Sequence, residues 1–174
     1  MKKNLPLLFL LFLFLSFPLT GKSYQPDFDV QKFYAEHNTI EFIDTDSYVV
    51  LMPKNDKPGY YCETGIIFYP GGAVDYHAYI PLVTRLAERG AACFIAKMPL
   101  DFAFMDKRAA GRFTKKHPEI RKWYMAGHSL GGAMAASYIS RHSKDFKGLI
   151  LLASFSTHDL SSTTLRVLSI YGSI

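Results

Sequence analysis

The run Gly127-His128-Ser129-Leu130-Gly131-Gly132 sets one hydroxyl among glycines. A serine is a weak nucleophile; it needs a base to take its proton and donors to hold the oxyanion it creates. The G-x-S-x-G spacing answers a steric demand. At the apex of a sharp strand-to-helix turn, bulk two residues before or after the serine would collide with the backbone. Gly127 and Gly131 fill those places, and His128 sits beside Ser129 in the same elbow. The helix that follows would aim its unpaired N–H groups at the serine, so the Leu130 amide is a candidate oxyanion donor. This is the chemistry of acyl transfer, with Ser129 as nucleophile.

A second glycine pair, Tyr69-Pro70-Gly71-Gly72-Ala73, lies two strands upstream. Such a loop can bring a backbone N–H against a substrate with no Cβ in the way, and Gly72 or Ala73 is the expected second donor. The rest of the machinery is harder to find. Asp159 follows a strand and is the candidate acid, while His158 reads as a loop residue. His77 could rim the site and His142 ends a helix. His37 and His117 read as loop residues, and none of the histidines stands out as the base. Met98, Phe102 and Phe104 read either as an apolar wall for an acyl group or as core. No Cys/His spacing suggests zinc, and no metal or organic cofactor is implied. Cys93 lies in the apolar run Ala91–Ala96, so a buried free thiol is expected there rather than a disulfide with Cys62.

The elements that must position these groups follow from periodicity. Thr39–Pro53 reads as two short strands around Asp44-Thr45-Asp46. Gly65–Tyr69, Ala91–Ala96, Lys122–Ala126, Gly148–Ala153 and Leu165–Tyr171 read as further strands, mostly continuous apolar runs. Helices are expected over Tyr76–Arg89, ended by Gly90, over Asp101–Lys116 and over Leu130–Arg141. Ser23 to Asn38 reads as an extended lead-in. Apolar strands alternating with helices imply an α/β fold, a mostly parallel sheet with helices on both faces.

Leu5–Leu19 is apolar and follows Lys2-Lys3, the layout of a secretory signal, although Leu19 and Gly21 make a poor cleavage pair. The expectation is residues 1–23 as a signal peptide or uncleaved membrane anchor and 24–174 as the folded domain, placed outside the cytoplasm. Membrane association would run through residues 5–19. The net charge of +5 is scattered without aromatic platforms, which argues against a nucleic-acid partner.

Four stretches, FYPGGAVDYHAYIPL (Phe68 to Leu82), AKMPLDFAF (Ala96 to Phe104), WYMAGHSLGGAMAASY (Trp123 to Tyr138) and VLSIYGS (Val167 to Ser173), resemble the α/β-hydrolase superfamily. The likeness is to the bacterial group called α/β-hydrolase fold 5, with its carboxylesterase-like and dienelactone-hydrolase-like members. The resemblance implies a Ser–acid–His triad in that chain order. Its acid follows the strand matching Val167–Tyr171, and its histidine comes after one further strand. Here the sequence stops at Ile174 with neither, so the expectation is an incomplete domain lacking its last strand. Activity on a small acyl (ester-type) substrate would be impaired. The alternative is a non-catalytic pseudoenzyme or gene remnant.

Overall fold

In a computed structural model the chain is described at residues 23–55 and 62–172. The apolar segment Leu5–Leu19 lies outside the described residues. Seven strands form one sheet: β1 (Ile40–Asp44), β2 (Tyr48–Pro53), β3 (Thr64–Tyr69), β4 (Ala92–Ala96), β5 (Lys122–His128), β6 (Gly148–Leu152) and β7 (Arg166–Ile170). Their spatial order is β1-β2-β4-β3-β5-β6-β7. The β1–β2 and β2–β4 pairs are antiparallel, and every pair from β4 to β7 is parallel. This is the expected α/β architecture, and parallel pairing makes β3, β4, β5, β6 and β7 end on one common edge.

Strand side chains alternate between two apolar clusters. Ile67 and Tyr69 of β3, Phe94 of β4 and Met125 of β5 point to one face, where α3 (Ala110–Lys116) and α4 (Leu130–Ile139) pack. Ile66, Phe68, Cys93, Ile95 and Ala126 point to the other, where α2 (Ile80–Ala87) contributes Ile80 and Val83. Burial on both faces explains why the central strands read as unbroken apolar runs. Each large aliphatic side chain so buried contributes about 1.5–3 kcal/mol.

Three expectations need correction. The lead-in is not wholly extended: Val30–Glu36 is a helix, α1, whose N-cap Asp29 accepts from the Lys32 N–H at 3.0 Å. Val30, Phe33 and Tyr34, at helical spacing, pack it against the core. Tyr76–Arg89 splits into a 3-10 turn, Tyr76–Tyr79, and α2. The helix expected over Asp101–Lys116 is only α3 at its end, preceded by 3-10 turns at Pro99–Asp101 and Ala103–Asp106. Leu100 and Asp101 have φ of 52° and 57°, outside any helix, and the Asp101 carbonyl accepts from the Ala73 N–H at 3.0 Å. A tertiary hydrogen bond has overridden local propensity.

At the start of α3 the N-cap, Ala109, has no side chain to offer. The buried Tyr69 hydroxyl serves instead, accepting from the Ala110 N–H at 2.8 Å and donating to the Lys107 carbonyl at 2.9 Å. Desolvation pushes that phenol's pKa well above its ordinary range. Cys62 and Cys93 are both buried, and no disulfide joins them.

Candidate active site

Ser129 stands between the end of β5 and the start of α4 with φ 50° and ψ −122°, a conformation glycine adopts freely and serine does not. Three contacts hold it there. Its N–H donates to the Leu152 carbonyl at 2.9 Å, and its carbonyl accepts from the Ser154 hydroxyl at 2.7 Å and from the Ala133 N–H at 3.2 Å. The glycines beside it are required by contact. A Cβ on Gly127 would lie 2.6 Å from the Gly131 carbonyl carbon, and one on Gly131 only 2.2 Å from the Tyr69 and Pro70 carbonyl oxygens. Ser129 itself is exposed, so its hydroxyl can meet a substrate.

Leu130 opens α4, and its N–H has no intrahelical acceptor. The glycine loop lies against it: a Cβ on Gly72 would sit 3.1 Å from Leu130 Cδ2 and 3.3 Å from the Phe102 ring. The loop's amides divide. Gly71 donates to the Tyr79 hydroxyl at 3.0 Å and Ala73 to the Asp101 carbonyl. The Ala73 amide, one of the two expected donors, is therefore already engaged, whereas Gly72 makes no backbone–backbone hydrogen bond through its N–H among the described residues.

The His128 ring is turned to Tyr79. Its Nδ1 lies 2.9 Å from the Tyr79 hydroxyl, which also receives the Gly71 N–H. The Tyr79 hydroxyl accepts from the Gly71 amide and shares a hydrogen bond with Nδ1, whose direction the imidazole tautomer sets. Burial lowers the His128 pKa and raises that of Tyr79, which keeps both neutral. Tyr79 thus ties the glycine loop to the elbow. Neither Tyr79 nor Ser154 is legible as a site residue in the sequence. Tyr79 reads there only as one apolar position on a helix face, and Ser154 carries no motif.

The remaining candidates lie elsewhere. Asp159 is exposed and turned onto its own loop, accepting from the Ser161 N–H at 2.8 Å; its pKa is lowered by the Ser161 hydroxyl and amide. His158 contacts Thr157 at 3.2 Å. His77 bridges two carboxylates, Asp75 and Asp44, each at 2.8 Å. His37 bonds the Phe33 carbonyl, His117 bonds Glu119, and His142 lies 3.5 Å from Asp145. Among the described residues no histidine comes within hydrogen-bonding distance of the Ser129 hydroxyl. None of their His, Cys, Asp and Glu side chains form a group that could hold a metal ion.

A strained serine on a strand-to-helix turn, over a parallel sheet covered by helices, defines a hydrolase scaffold. The alpha/beta hydrolase family matches residues 65–174, and the chain belongs to it. No curated protein matches the chain in sequence. Among solved structures it is similar to Est1E from Butyrivibrio proteoclasticus, at 28% identity and TM-score 0.47 over 66% of this chain and 50% of that one. It is also similar to a thermostable carboxyl esterase from Bacillus coagulans, at 15% identity and TM-score 0.50 over 66% and 44%. A mutant epoxide hydrolase from Vigna radiata shares 12% identity and TM-score 0.52 over 70% and 41%. The chain thus spans half or less of the length of these three structures.

Proposed function

We propose that the chain is a serine hydrolase that attacks a small ester-type acyl substrate through Ser129. The observation that carries this reading is the exposed serine held at φ 50° by three backbone contacts, beside the open start of α4. Strain of that kind costs about 1–3 kcal/mol and persists where the surroundings fix it. Here it points a hydroxyl at solvent. The Ser129 oxygen would bond the acyl carbon, and the Leu130 and Gly72 amides would take the charge that develops on the carbonyl oxygen. As the acyl C–O bond to the alcohol breaks, the departing oxygen would take up the proton lost by Ser129; water would then hydrolyse the acyl–Ser129 ester, its hydroxyl going to the acyl carbon and its other proton back to the Ser129 oxygen. Gly72 is favoured over Ala73 because its amide is not spent on Asp101. An ester is also the substrate class named for the Bacillus coagulans relative, which supports the fold-level comparison only.

The described residues bring no base to Ser129. Loss of a triad member typically lowers turnover by ~10⁴ to 10⁶, and an oxyanion hole alone keeps a small residual rate. The described residues are therefore expected to turn substrate over slowly, and the same observation favours a second reading, a non-catalytic member of the family. A fluorophosphonate probe separates the two. Covalent labelling of the full chain that vanishes in Ser129→Ala supports the hydrolase; no labelling at any pH from 6 to 9 supports the non-catalytic member. Export, and membrane association through residues 5–19, belong to the same proposal.

A further inference from the structure

The polypeptide enters the described fold at the rim of the Ser129 site. The Ser23 hydroxyl donates to the Asp101 carboxylate. Tyr24 forms an isolated parallel bridge with Val74, its N–H donating to the Ala73 carbonyl and its carbonyl accepting from the Asp75 N–H, both at 2.9 Å. Residues 23–24 are thereby fastened to the glycine loop after β3 and to the loop after β4. These two loops meet at Gly72, which lies against both Leu130 and the Phe102 ring.

The surface that continues outward from this junction is apolar. Tyr24, Leu100, Phe104 and Met105 are 69, 77, 47 and 49% exposed. The left-handed backbone at Leu100 and Asp101 accompanies the outward placing of Leu100. Across the elbow stands Phe155, 63% exposed and next to the Ser154 that holds the Ser129 carbonyl. Single exposed apolar side chains are ordinary; several of them on loops at the end of the sheet that carries Ser129 mark an interaction surface. The nearby charges are of both signs, with the Asp101 carboxylate at the junction itself and an exposed Asp159 on the loop that carries Phe155. Lys107 and Arg108 are exposed and in no ion pair among the described residues, whereas Asp106 is matched by Arg112 at 2.6 Å.

The occupant is argued from what precedes Ser23, taken as the uncleaved anchor rather than a removed signal peptide. Leu5–Leu19 is apolar in sequence, and only Thr20-Gly21-Lys22 separates it from Ser23. From Leu19 to Ser23 is four residue steps, a reach of at most about 14 Å. A lipid surface that takes up Leu5–Leu19 must therefore lie close to the rim. We propose that the open side of Ser129 faces a lipid bilayer. Tyr24, Leu100, Phe104, Met105 and Phe155 would meet its interface, and Lys107 and Arg108 its anionic headgroups. The substrate class is then a lipophilic acyl ester drawn from that surface. The chemistry rests on the Ser129 reading; the orientation does not.

The test places an environment-sensitive NBD label on the full chain. Cys62 and Cys93 are buried, so single Leu100→Cys and Phe155→Cys variants are labelled selectively. Arg121→Cys, at the opposite edge of the sheet, is the control. Vesicles of phosphatidylcholine with phosphatidylglycerol are added. The expected result is a blue shift and emission gain at positions 100 and 155, quenched by a spin label at headgroup depth, with no change at 121. Equal shifts at all three positions, or none at 100 and 155, overturn the orientation. Fluorophosphonate labelling of Ser129 is read on the unsubstituted chain without vesicles. Its failure removes the hydrolase reading and leaves the NBD result to decide orientation alone.

Discussion

At the end of β5 and at β7 the same sheet is built under opposite constraints. Around Ser129, carbonyls and amides from β6, α4 and the glycine loop converge, and Gly127 and Gly131 have no room for even a methyl group. Two strands away, β7 pairs only with β6 among the described residues, and all five of its residues are exposed. Only the first region can hold a serine in a glycine-like backbone. Strain survives where neighbours over-determine the chain, so the strained serine sits in the centre of the sheet rather than at its edge.

The largest effect that would break this contrast is at Gly131. Gly131→Ala drives a Cβ into two backbone oxygens and is expected to cost about 3 kcal/mol or more, read by urea unfolding. A loss below about 1 kcal/mol would mean the elbow can relax, and the argument from tightness would fall. Next is Tyr79→Phe, which deprives the Gly71 amide and His128 Nδ1 of their shared partner. About 1–2 kcal/mol of stability should be lost. Fluorophosphonate labelling should also slow, because Gly72 is no longer held against Leu130; an unchanged labelling rate would show that the bridge does not position the loop.

Ser129→Gly should act in the other direction. Releasing the strained backbone is expected to stabilise the fold by about 1 kcal/mol while abolishing labelling. At the edge, Leu168→Ala removes a side chain already 53% exposed and should cost about 1 kcal/mol or less. A Leu168 effect matching that of Gly131 would erase the distinction between the two regions.

The smallest effect is that of pH. Burial depresses the His128 pKa in the fold, so between that lowered value and the ordinary ~6.5 the unfolded chain binds a proton that the folded one does not. Stability is complete above the ordinary value and falls as the pH drops through this window. His128→Gln should flatten the slope of unfolding free energy against pH there, and an unaltered slope would place its origin elsewhere.

What the sequence disclosed and what it hid divide along physical lines. Strands β3 to β6 are legible because burial in the sheet leaves apolar runs, and the elbow because its steric need leaves glycines at fixed spacing. Helix α1 reads from the sequence as an extended lead-in because its surroundings are polar, although Asp29 ahead of Val30, Phe33 and Tyr34 carries an N-cap and an apolar stripe. The segment from Asp101 to Asp106 was not readable, since its backbone answers to the Ala73 amide on another loop. The role of Tyr79 was hidden for the same reason. Its partners, Gly71 and His128, are brought to it only by the pairing of β3 with β5, and helical spacing explained the residue without them.

The Tyr69 hydroxyl carries a consequence for the order of assembly. It closes the last residue of β3 onto the first turn of α3, doing from a distance what a local cap does elsewhere. Helix α3 is short for independent stability in water, so its first turn has little to nucleate on until β3 has docked. Amide exchange at Ala110 should therefore track the opening of the central sheet and not the fraying of its own helix.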